Sequence, residues 1–172
     1  SFETGEIPDI LKLGLISPIH TSNPANFRPV SLTSHITKTG ERIVREQLVA
    51  HLEHINKTDS CQHGSRRGRS TLSQLLEHHD EIITMLENDM NVDSIYLDFS
   101  KAFDKCDFGI LMHKLKKLGI KGKLGRWLLN FLSNRKQQVM NNGTKSNVTH
   151  VTSGVTQGTV LGHILFLIYI SD

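Results

Sequence analysis

The chain predicts an α+β fold, on two observations. Apolar residues recur at helical spacing in four separate stretches, and short runs rich in β-branched residues lie between those stretches. Neither internal repeats nor low-complexity segments interrupt the alternation, so a solenoid, a propeller or a long coiled coil is not expected.

The elements follow in chain order. Residues 15–19 and 27–32 read as two strands joined by a turn at Ser22, Asn23 and Pro24. Val44, Leu48, Leu52 and Ile55 fall on one helical face, which predicts a helix over 35–55. Leu72, Leu75, Leu76, Ile82, Ile83 and Leu86 predict a second helix over 70–89, capped by Ser70 or Thr71. Residues 92–97 form a short, partly β-branched run that predicts a buried or half-buried strand ending on Asp98. Leu111, Leu115 and Leu118 define a helix that stops at Gly119. A further apolar face comprises Leu124, Trp127, Leu128, Phe131 and Leu132, with Trp127 expected as its core anchor rather than as a stacking platform for a base. Asn142-Gly143 signals a tight turn between strands near 136–141 and 147–153, and the apolar run 164–170 closes the sequence.

A length of 172 residues with 37% hydrophobic content suits one domain or a large piece of one. The run 164–170 is too short to span a bilayer and no charged leader precedes a long apolar segment, so an intracellular protein without a signal peptide, in cytoplasm or nucleus, is expected. Cys61 and Cys106 lie in no metal-ligand spacing and read as reduced thiols, and the ten histidines form no compact ligand set.

Net charge of +3 conceals an asymmetry. Residues 108–171 hold nine cations and no acid, whereas residues 1–107 hold 11 basic and 16 acidic side chains. An acid-free segment with Lys114, Lys116, Lys117, Lys121 and Lys123 clustered in it attracts a polyanion, although for any single lysine there a solubilising role is the commoner reading.

Asp98 stands at the carboxyl end of the predicted strand, followed by Phe99, Ser100, Lys101, Ala102, Phe103 and Asp104. A carboxylate there can hold a divalent cation, though on spacing alone a solvated turn is the commoner reading. Three other blocks accompany it: Asn26-Phe27-Arg28-Pro29-Val30-Ser31-Leu32, Gln62-His63-Gly64-Ser65-Arg66-Arg67-Gly68-Arg69-Ser70, and Ser153-Gly154-Val155-Thr156-Gln157-Gly158-Thr159-Val160-Leu161-Gly162. Together and in this order the four blocks resemble the reverse transcriptase domain of LINE-type retrotransposons, those lacking long terminal repeats. The likeness covers nearly the whole chain. Departures occur at Thr156 and His163, where the family has prolines, at Ser65, where it has phenylalanine, and at Phe108, where it has histidine.

The resemblance implies the fingers and part of the palm of a right-hand polymerase, with residues 1–90 in the fingers and 91–172 in the palm. It implies that Asp98 is a catalytic metal ligand, with the carbonyl of Phe99 as its companion, for Mg²⁺ or Mn²⁺. Arg28, Arg66, Phe99, Phe103, Gln157 and Gly158 would form the nucleotide site, with Phe103 packing against the incoming sugar. Arg67, Arg69 and the five lysines would face the RNA template and DNA primer, and deoxynucleoside triphosphates would be the substrates. Asp104 is expected to cap the segment that follows it. The family's second metal motif, an Asp-Asp turn, lies beyond residue 172, so the metal site is expected to be incomplete and the isolated chain inactive. A non-catalytic nucleic-acid-binding remnant is the alternative from a different class; an unrelated metal-dependent phosphohydrolase built on Asp98 and Asp104 would leave three blocks unexplained.

Overall fold

A computed structural model describes residues 1–19, 28–57, 61–64, 66 and 68–171. The chain divides into two compact units, one formed by Ser1–Val49 with Lys101–Asp172 and the other by Ala50–Ser100.

The first unit is built on a sheet. After a short 3-10 helix, Asp9–Leu11, strand β1 (Leu13–Ile19) pairs antiparallel with β2 (Arg28–Leu32), and Leu15 lies opposite Leu32. Both strands were expected; the turn between them falls outside the described residues. On its other edge β1 pairs in parallel with β3 (Lys136–Asn141), placing Gly14 opposite Gln137. β3 then turns through Asn142 and Gly143, both at positive φ, into β4 (Thr144–Lys145), and its first residues also pair with β5 (Thr149–His150). The second arm of this hairpin is thus shorter than the stretch 147–153 anticipated.

Helix α1 (His35–His54) follows β2 and buries Val44, Leu48 and Leu52 along the predicted face. Three further helices supply most of the core of the first unit: α3 (Phe108–Lys117), α4 (Gly122–Leu132) and α5 (Gly162–Ile170), with α3 packed on both α4 and α5. Leu111, Leu115, Leu128, Leu132 and Leu165 are each buried to 1% exposure or less. Gly119, at φ +84°, ends α3 where the sequence placed its stop. Trp127 is buried with its ring stacked between Phe2 and Phe131, each 5.5 Å away, so it is a core anchor as expected. α3 is capped by Asp107, whose carboxylate accepts from the Ile110 amide at 2.9 Å; the cap expected of Asp104 belongs to this residue, which stands immediately before the helix where an N-cap must be.

In the second unit, α2 (Thr71–Glu87) starts at Ser70 with reciprocal bonds between Ser70 and Ser73. Residues 91–99 are irregular, and Ile95, Tyr96 and Leu97 are each more than three-quarters exposed. The strand expected over 92–97 is therefore absent. A β-prone run becomes a strand only when a neighbour takes up its backbone donors and acceptors, and no described segment pairs with this one.

No helix among the described residues is long and apolar enough to cross a membrane.

Candidate functional site

The glutamine block forms a tight loop in the first unit. Its glycines show why the loop needs them. A Cβ on Gly154 would stand 2.8 Å from both the Cα and the carbonyl oxygen of Asp104, and one on Gly158 would stand 2.7 Å from the Ser31 carbonyl oxygen; both residues also have positive φ. The backbone bonds that fix the loop are equally short. Gly154 donates to the Cys106 carbonyl at 2.8 Å, Val155 to Phe103 at 2.8 Å, and the Ser31 amide donates to the Gln157 carbonyl at 2.9 Å. The loop therefore threads between the turn at 103–106 and strand β2.

Beside it opens a cleft of about 230 Å³, walled by Gly14, Ile16 and Ser31 from β1 and β2, by Arg135, Lys136 and Gln137 at the start of β3, and by residues 150–157, with Asp104 at its edge. Hydrogen-bonding groups dominate this wall, with Lys136 and the buried Arg135 as its cations and Asp104 as its acid, which suits a polar ligand. Gln157 lies half-buried on it and Gly158 is exposed immediately after. Phe103 is half-buried, with its ring stacked on Phe166 at 4.8 Å and edge-on to His163 at 5.3 Å.

Arg135 is itself buried, with its guanidinium 4.9 Å from the Phe131 ring centre and one nitrogen donating to the Phe131 carbonyl at 3.4 Å. Burial pulls its pKa below the ordinary arginine range, and the nearby negative charge of Glu41 opposes that. The cleft residues Arg135, Lys136, Gln137 and His150 carry no site signal in the sequence, because strand pairing across more than a hundred residues brings them to the cleft and local pattern cannot show it.

The other expected residues are distributed as follows. Arg28 begins β2, and its side chain, like all of Arg67, lies outside the described residues. In the second unit Asp98 is exposed and Phe99 is 66% exposed. Arg66 is half-buried in the loop before α2. Arg69 is tied down there: its guanidinium lies 2.6 Å from His63 Nε2 and 3.5 Å from Glu77. The His63 ring is buried, bonding Ser73 Oγ at 2.8 Å through Nδ1 and pairing with Glu77 through Nε2. His63 has no special signature in sequence beyond its place in the arginine block.

Of the clustered lysines, Lys114 caps α5, donating to the carbonyls of Tyr169 at 2.8 Å and Ser171 at 2.7 Å. Lys116, Lys117, Lys121 and Lys123 are exposed around the end of α3 and the start of α4. Among the described residues no three acidic, histidine or cysteine side chains come together as a metal site. Asp98 with the Phe99 carbonyl would supply only part of a divalent-cation ligand set.

A Gly-pinned loop thus carries a glutamine beside a polar cleft. The chain belongs to the reverse transcriptase family: the family model described as Reverse transcriptase (RNA-dependent DNA polymerase) matches residues 18–172. Among its relatives, the probable RNA-directed DNA polymerase from transposon X-element of Drosophila melanogaster is 33% identical over 166 residues, covering 94% of this chain and 18% of that protein. The RNA-directed DNA polymerase from mobile element jockey of Drosophila funebris is 30% identical over 147 residues, covering 86% of this chain and 16% of its own length. A retrovirus-related Pol polyprotein from the type-1 retrotransposable element R2 of Popillia japonica is 27% identical over 145 residues, 84% of this chain and 20% of the relative. The chain thus spans about a fifth or less of the curated relatives it matches.

Proposed function

We propose that these residues are the fingers (1–90) and part of the palm (91–172) of a retrotransposon RNA-directed DNA polymerase, which extends a DNA primer along an RNA template with deoxynucleoside triphosphates. The observation that carries the reading is the loop at 153–162, whose glycines admit no side chain at Gly154 and Gly158 and whose Gln157 borders the polar cleft. Gln157 and Gly158 contact the incoming nucleotide and templating base. Phe103 packs against the sugar, Arg28 and Arg66 bind phosphate with the two-pronged geometry that guanidinium provides, and Arg67 and Arg69 extend the same basic loop. Asp98 and the Phe99 carbonyl serve as ligands for one divalent cation, which offsets phosphate charge when the remaining carboxylates are supplied.

The test is Asp98→Asn in a polypeptide that supplies those carboxylates. Primer extension is expected to be abolished while binding of primed template stays within about threefold, because one surface charge contributes little to a polyelectrolyte contact. Extension near the parent rate overturns the assignment of Asp98.

A second reading, a non-catalytic nucleic-acid-binding remnant, is favoured by one observation: Lys116, Lys117, Lys121 and Lys123 are exposed on a segment with no acid between residues 108 and 171. Both readings place RNA or DNA on the chain. Templated extension separates them.

A further inference from the structure

Helix α5 is nine residues long and largely apolar; its first amide, of Gly162, is met locally by Thr159 Oγ1 at 3.1 Å, but its N-cap residue, Leu161, offers no capping side chain. A helix start leaves backbone amides without partners, and burying them unpaired is costly. The acceptor for the Leu161 amide comes from 120 residues earlier in the chain: Glu41 Oε2, on α1, receives it at 3.0 Å. Glu41 is fully buried, so this is a carboxylate placed in the interior at the positive end of a helix.

Leu161 is four residues from Gln157, and the intervening chain has little freedom. Thr159 Oγ1 donates to the Thr156 carbonyl at 2.8 Å and accepts from the Gly162 amide at 3.1 Å, while the Gln157 carbonyl is held by Ser31. A displacement of Leu161 therefore carries Gln157 with it. From this geometry we infer that Glu41 is a positioning residue for the glutamine loop, holding the amino end of α5 so that Gln157 keeps its place on the cleft wall.

Two further facts support the assignment. The second carboxylate oxygen, Oε1, is buried without a hydrogen-bond partner among the described residues, as is one guanidinium nitrogen of Arg135. Burial pushes the Glu41 carboxyl above its ordinary range, with the Leu161 amide, the Arg135 charge and the Val160 amide pulling it back. A group retained in so unfavourable a place acts through its one firm bond and through a cleft arginine. The functional half of the inference rests on the polymerase reading above; the structural half does not.

The experiment uses the 172-residue chain and its Glu41→Ala, Glu41→Gln and Leu132→Ala variants. Backbone hydrogen exchange is followed by mass spectrometry, and affinity is measured for oligo(dT) annealed to poly(rA). Glu41→Ala is expected to speed exchange over 153–162 by about tenfold or more, as removal of a hydrogen bond to a charged acceptor implies, with α3 and α4 changing less. Glu41→Gln keeps an acceptor oxygen and is expected to restore protection of the loop to within about threefold of the parent, with primed-template affinity recovering in parallel. Leu132→Ala, a general core defect, should raise exchange across α3, α4 and the loop alike. Equal acceleration of loop and helices in Glu41→Ala, or parent-like protection of 153–162, overturns the anchoring role. If exchange follows the expected pattern and the affinity of Glu41→Ala matches the parent, the anchor does not serve binding and the positioning role is refuted. If even the parent fails to bind primed template, the polymerase reading falls while the exchange data still decide the anchor.

Discussion

Replacing Gly154 with alanine isolates the contact on which the glutamine loop depends. The new methyl would lie 2.8 Å from Asp104 Cα and carbonyl oxygen and 2.9 Å from the Phe103 carbonyl oxygen, all backbone atoms that cannot swing aside. Overpacking of this kind costs about 1–3 kcal/mol, and the residue's positive φ of +90° adds about 1–2 kcal/mol for any side chain. The stiffer unfolded chain returns about 0.4–1 kcal/mol, leaving a net destabilisation of roughly 1–5 kcal/mol. Gly143→Ala is the matched control: its φ is +80°, but nothing lies within 4 Å of the added methyl, so only the backbone component applies. Urea denaturation followed by the fluorescence of Trp127, the only tryptophan, reports on the unit that contains both glycines. Gly154→Ala should be less stable than Gly143→Ala by about 1–3 kcal/mol at unchanged m-value. Equal stability of the two variants, within about 0.5 kcal/mol, would refute the claim that backbone contact at 103–106 fixes the loop.

Other outcomes follow from the same structure. The raised Glu41 pKa means the folded state holds this proton above the ordinary 4.5, so the group's contribution to stability is full below that value and is lost as pH rises through the folded pKa; the parent should lose stability relative to Glu41→Gln over that rise, as urea midpoints at stepped pH will report. Burial also pushes the Cys106 thiol up, so a thiol reagent should modify exposed Cys61 quickly and Cys106 only on unfolding; two equally fast thiols would contradict the packing. In a polypeptide with a complete metal site, Phe103→Ala should relax discrimination against ribonucleotides, and unchanged sugar selectivity would remove Phe103 from the nucleotide pocket.

What could be read in the sequence divides along physical lines. Helices α1 to α4 were legible because their signals are local: apolar spacing, the Ser70 cap, and Gly119 at the stop. The parallel pairing of β1 with β3 was not, since nothing near residue 14 points to residue 137. The 92–97 run shows the converse failure: strand propensity was present, and among the described residues a pairing partner was not. Asp107 outcompeted Asp104 as a cap by position alone. Glu41 did leave a signal, because three residues before Val44 on the face of Val44, Leu48 and Leu52 stands this acid, and a carboxylate on an apolar face needs a buried partner. Of the cleft, Gln157 was singled out through the family likeness, whereas the wall around Arg135 required the fold.

The central proposal is that this chain binds a primed RNA template through the exposed lysines at the end of α3 and the start of α4, and fluorescence anisotropy of labelled primed template across a salt series tests it most directly. The logarithm of affinity should fall linearly with the logarithm of salt. Neutralising Lys116, Lys117, Lys121 and Lys123 together should make that slope shallower by up to about 3–4, or roughly 0.9 for each phosphate no longer neutralised. Binding that ignores salt, or a slope unchanged in the quadruple variant, would contradict the account.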